Sequence, residues 1–160
     1  MVILKMVGMN KKLNRLVVEQ VAVVAQHDAV LSFQEQRGDV FDSLRERLAA
    51  GGGNTRGRGA EYLAYRLVDT VVDHYYFVTD HLMDSAEKLE ERILKDADAD
   101  SLLELQLQKK MLAQLRRAAT PLREAISHLM KDPPAIVQKE TLRHWHDVHD
   151  HLIQIHDHID

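Results

Sequence analysis

Residues 61–95 contain neither glycine nor proline. Along them Val68, Val71, Tyr75, Val78, Leu82, Ala86, Leu89 and Ile93 recur three or four positions apart. That spacing predicts one long helix with a continuous apolar stripe. At 1.5 Å per residue such a rod is roughly 50 Å long. It cannot cover its own stripe, so the rest of the chain must supply partners.

Two further stripes provide them. Leu105, Leu112, Leu115, Ala119, Leu122, Ile126 and Leu129 predict a second helix after DADADS, residues 96–101, with Ser101 as its expected N-cap. Pro121 lies inside this helix and predicts a kink, because its ring removes a backbone bond to Arg117. Asp132-Pro133-Pro134 ends it. A third helix is expected from about Gln138 to the end, with Trp145, Val148, Leu152, Ile155 and Ile159 as its seam. This seam needs a partner, either the same chain's hairpin or a second copy. Acids dominate between Asp80 and Asp100, and lysine and arginine dominate between Ser101 and Lys131. Opposite charge and a short connection predict that the first two long helices lie antiparallel. The third is expected to project from that hairpin.

The first 36 residues read as β. MVILKMVGMNKK suggests a strand followed by a turn, LVVEQVAVV is valine-rich, and His27-Asp28 is a plausible turn before AVLSFQE. VFDSLRERLAA then predicts a short amphipathic helix, and GGGNTRGRG, residues 51–59, a flexible break. The expected class is α+β: a small N-terminal portion of an α/β domain (1–59), a long helical hairpin (60–132) and the start of a stalk helix (133–160).

Composition excludes several functions. The net charge of −4 gives no general attraction to nucleic acid or anionic membranes. The absence of cysteine fits a reducing cytoplasm and excludes a thiolate metal site. No apolar run reaches the roughly 18 residues needed to span a bilayer. No nucleophile elbow, phosphate loop or HExxH motif occurs, so the reading is of a non-enzyme.

Two polar faces carry the chemistry. Asp69, Asp73, Asp80, Asp84, Glu87 and Glu91 fall within about 60° of one another on the first long helix, opposite its apolar stripe. Basic side chains, divalent cations or water must compensate them. The terminal stretch HWHDVHDHLIQIHDHID holds six of the chain's ten histidines. On it His151, Gln154 and His158 cluster around Asp147, and Asp147 and His151 are spaced i, i+4 to share a cation. Imidazole suits zinc, nickel or cobalt, whereas carboxylates and water suit magnesium.

VLSFQEQRGDVFDSLRERL, AEYLAYRLVDTVVDHYY and ATPLREAISHLMKDPPAIVQKETLRHWHDVHDHLIQI together resemble the cytoplasmic domain of CorA-type magnesium channels. The resemblance covers nearly the whole chain. It implies a cytoplasmic domain on the inner face of the cell membrane. A stalk would continue into two membrane spans that this chain lacks, further β/α structure would precede Met1, and five subunits would assemble. It implies a regulatory metal site with Asp147 of DVHDH and Asp69 of LVDT, with Asp73 as a helper; His151, His158 and Asp157 of the terminal stretch are the weaker candidates beside them. Mg2+ is the implied ion, with Co2+ or Ni2+ as alternatives. His146 and His149, where the family carries aromatic or basic residues, keep Zn2+ and the ZntB branch open. A soluble helical interaction module is the alternative from another class. The family's pore tripeptide occurs as Gly8-Met9-Asn10, but no long apolar segment precedes it here.

Overall fold

A computed structural model describes residues 1–10, 14–51, 55–96 and 98–159. Strands β1 (Val2–Asn10), β2 (Arg15–Ala25) and β3 (Val30–Gln34) form an antiparallel sheet in chain order. Leu4 pairs with Val21, and Val21 with Gln34. His27 and Asp28 occupy the expected turn, closed by a 2.8 Å hydrogen bond from Gln26 N to the Ala29 carbonyl. The turn expected near residues 11–13 and the 52–54 portion of the glycine run lie outside the described residues. Gly8-Met9-Asn10 is the end of β1, paired with Val17, Leu16 and Arg15.

Four helices follow: α1 (Asp42–Ala49), α2 (Gly59–Lys95), α3 (Ala99–Lys131) and α4 (Lys139–Ile159). The class is α+β, as expected. Val68, Val71, Tyr75, Val78, Leu82 and Leu89 of the α2 stripe are all buried, as are Leu115, Ala119, Leu122 and Ile126 of α3. One apolar core joins them to Leu4, Met6, Val21 and Val23 of the sheet. The Tyr75 hydroxyl donates to the Lys5 carbonyl and so fastens α2 to β1.

Two expectations are corrected. α4 does not project from the hairpin. It lies against α2 and α3, and Trp145, Val148, Leu152 and Ile155 are buried within the chain. Burying the seam is favourable by roughly 1.5–3 kcal/mol for each large side chain, and the hairpin supplies the surface. Thr120 and His156 add a polar contact to this joint, 2.8 Å apart.

The cap of α3 is Asp98, not Ser101. The Asp98 carboxylate accepts from the Ser101 backbone N–H at 2.7 Å, which places Ser101 inside the first turn. Asp98→Ala is expected to lower the denaturant midpoint with an unchanged slope. In the charged hairpin, one ion pair between the two helices has its signs exchanged relative to their overall charge. Arg92 of the acidic helix reaches Glu104 of the basic one. α3 also runs on through Pro121 as a single helix to Lys131.

Candidate metal centre

α4 docks along the edge of α2 and creates an open pocket of about 480 Å³ between them. Tyr65, Asp69 and Asp73 line it from α2, and Asp147, Asp150, His151 and Gln154 from α4. The spacing explains the grouping. Residues 65, 69 and 73 are successive i, i+4 neighbours on one helical face, as are 147 and 151, and two such faces meet side by side. Asp69, Asp73 and His151 each bring a ligand atom to within 4.8 Å of the others.

The helical wheel placed Asp69 among exposed acids, yet it is only 7% exposed. α4 covers the side of α2 on which it lies. Its Oδ2 accepts from the Tyr65 hydroxyl at 3.2 Å and from Arg66 at 2.9 Å. Both donors use the same oxygen, which leaves Oδ1 for another partner. Burial pushes the Asp69 carboxyl above the usual carboxylate range, and the charge of Asp73 adds to this. Arg66 and the Tyr65 hydroxyl oppose the shift. The net direction means that the carboxylate is under-compensated, even with a guanidinium beside it.

His151 Nδ1 is buried without a hydrogen-bond partner. The ring sits edge-on to Tyr76, with centroids 6.2 Å apart. Asp147 is exposed and faces the same pocket without belonging to the tight group of three. His144 Nδ1 lies 3.8 Å from its carboxylate, beyond hydrogen-bond distance. Arg58 sits 3.1 Å from His144 Nε2. Arginine can only donate, so Nε2 accepts and Nδ1 carries the hydrogen toward Asp147. The His144 ring also stacks on Tyr65, at 5.2 Å and 21°. Asp157 and His158 do not line this pocket, and His158 lies against Tyr76. Asp80, Asp84, Glu87 and Glu91 remain exposed.

Sequence reasoning overlooked Asp150 and Arg66. Arg66 could have been found from its i, i+3 spacing to Asp69. Asp150 was visible only as part of the DVHDH string.

Two carboxylates and an imidazole, one carboxylate buried with a spare oxygen and the imidazole with an orphaned nitrogen, fit a divalent cation. The oxygen share suits Mg2+, which binds through one or two carboxylates and keeps several waters. The imidazole suits a first-row transition ion.

The family described as CorA-like Mg2+ transporter protein matches residues 1–160. The cobalt/magnesium transport protein CorA of Thermotoga maritima is 39% identical over 156 residues, covering 98% of this chain and 44% of that protein. This chain therefore spans less than half the length of that relative. The soluble domain of CorA from Methanocaldococcus jannaschii superposes with a TM-score of 0.86 at 16% identity, covering 99% of this chain and 62% of that one. The complete CorA magnesium transporter of the same organism gives a TM-score of 0.81 at 16% identity, with 99% and 49% covered. At such identity these two structures speak to the fold alone. Among the described residues no helix is long and apolar enough to cross a membrane.

Proposed function

The chain belongs to the CorA-like Mg2+ transporter family, and we propose that it is the domain by which such a transporter senses its own ion and biases its gate. The observation that carries this reading is the convergence of Asp69, Asp73 and His151 within 4.8 Å, with Asp147 and Asp150 facing the same pocket. Two ionised carboxylates about 4–5 Å apart repel by roughly 3–4 kcal/mol at an effective dielectric of about 20. Asp69 and Asp73 are the residues that would hold Mg2+, through the free Oδ1 of Asp69 and the exposed carboxylate of Asp73. A bound divalent ion supplies the positive charge that removes this repulsion.

Asp69 and Asp73 belong to α2, whereas Asp147, Asp150 and His151 belong to α4. An ion held by Asp69 and Asp73 that is also reached by His151, Asp147 or Asp150 would tie α4 to α2, and emptying the pocket would remove that tie. A bias of only about 1.4 kcal/mol changes a two-state population ratio tenfold. In a membrane-bound homopentamer on the cytoplasmic face of the inner membrane, each subunit would contribute such a bias. Exposed Asp147 is positioned to share an ion with acids of a neighbouring copy.

The test is magnesium protection against limited proteolysis in the membrane-assembled protein. Asp69→Ala and Asp147→Ala are each expected to raise the half-protecting Mg2+ concentration about tenfold, the size of one lost charge-assisted ligand. Wild-type protection in both variants would refute the sensor assignment. His151 motivates a second reading in which Co2+ or Zn2+ is the ion. Under that reading His151→Ala weakens Co2+ and Zn2+ binding and leaves the Mg2+ response unchanged.

A further inference from the structure

We infer that Arg66 is a built-in competitor of the cation, a fixed positive charge that raises the ion concentration at which the Asp69 pocket fills. The inference rests on the reading of that pocket as a cation site, and it names a regulator within it. Three observations support it. Arg66 Nη1 lies 2.9 Å from Asp69 Oδ2, on the only strongly buried carboxylate of the group. The Arg66 side chain is itself only 21% exposed, so water screens it less than a surface arginine. Its guanidinium is held over the Tyr65 ring, 5.9 Å from the centroid. Tyr65 in turn donates to the same Asp69 oxygen.

Arginine stays protonated at every physiological pH. The pocket therefore always holds one cation of its own, and an incoming ion meets a partly neutralised carboxylate. Arg66 approaches from the flank facing Thr70 and Asp73, where the side chains of all three border a second opening. A guanidinium there repels a divalent ion at Asp69 and Asp73 without blocking access from the α4 side. A structural role would act oppositely. If Arg66 served only to orient Asp69 for the ion, removing it would weaken binding.

The two roles therefore predict opposite signs, which makes the experiment decisive. Mg2+ titrations of the membrane-assembled protein, read by limited proteolysis, are compared for wild type, Arg66→Gln, Arg66→Lys and Asp69→Asn. Arg66→Gln is expected to lower the half-saturating Mg2+ concentration about tenfold, equivalent to about 1.4 kcal/mol. Arg66→Lys, which keeps the charge, should stay near wild type. Misfolding lowers affinity and cannot produce the expected gain, and helical circular dichroism checks the fold directly. Unchanged or weaker binding by Arg66→Gln, with Asp69→Asn still losing the response, overturns the role of Arg66 and leaves the cation site standing. If wild type and Asp69→Asn respond alike, the cation reading itself fails and takes this inference with it.

Discussion

Leu152→Ala is expected to destabilise the protein by about 2–5 kcal/mol. Leu152 is fully buried in the α4 seam, between Val148 and Ile155, which are also fully buried. Truncation removes the transfer free energy of its methyl groups and leaves a cavity that rigid neighbours fill only partly. The predicted fall in Tm is roughly 5–15 °C for a chain of this size. Ile153, one position along and 38% exposed, is the internal control. Ile153→Ala should cost less than about 1 kcal/mol. The contrast decides how the seam is used. A cost below about 1 kcal/mol for Leu152→Ala would mean that α4 is not docked on its own hairpin. The pocket should also respond, because Asp150 and His151 immediately precede Leu152 and depend on the same docking. Magnesium protection is expected to weaken together with stability in this variant, although Leu152 touches no ligand.

Acid is expected to empty the cation site at about tenfold per pH unit once the pH is below the raised Asp69 value. The folded carboxyl lies above its ordinary value of 3.8, chiefly through burial and then through Asp73. A proton and a divalent ion compete for the same oxygens, so affinity rises with pH through the folded value and levels off above it. Stability without the ion runs the other way. Between 3.8 and the raised value the folded state holds a proton that the unfolded chain releases. The contribution of neutral Asp69 is therefore present below the unfolded value and is lost as pH rises through the folded one. Ion-free stability followed as a function of pH in wild type and Asp69→Asn tests this. Asp69→Asn should make ion-free stability less dependent on pH. An unchanged pH dependence in Asp69→Asn would refute the assignment to Asp69.

Much of the fold could be read before any coordinates, because apolar spacing reports directly on which helical face is covered. The stripes of α2, α3 and α4 hold nearly residue for residue, from Val68 to Leu89 and from Trp145 to Ile155. What spacing cannot report is which flank of a helix a neighbour covers. Asp69 and Asp73 share their angular sector with Asp80, Asp84, Glu87 and Glu91, but only these two line the pocket where α4 crosses, and of them Asp69 alone is buried. Its burial is a tertiary fact, whereas its pairing with Arg66 is local, i to i+3 on one helix. The same limit explains the α3 cap. DADADS offers Asp96, Asp98, Asp100 and Ser101 as possible acceptors, and only the backbone path selects Asp98. Asp147 and Asp69 came from the resemblance, and His151 from i, i+4 spacing. The pocket brings all three to one place.

The length of α2 has a mechanical consequence. From Asp69 to Lys95 the helix runs 26 residues, or about 39 Å at 1.5 Å per residue. Pivoted at Asp69 like an oar in its lock, such a shaft turns a tilt of about 5° into roughly 3 Å of travel at its blade. Were an ion held there as proposed, a small rearrangement around it would be magnified into displacement of the hairpin tip.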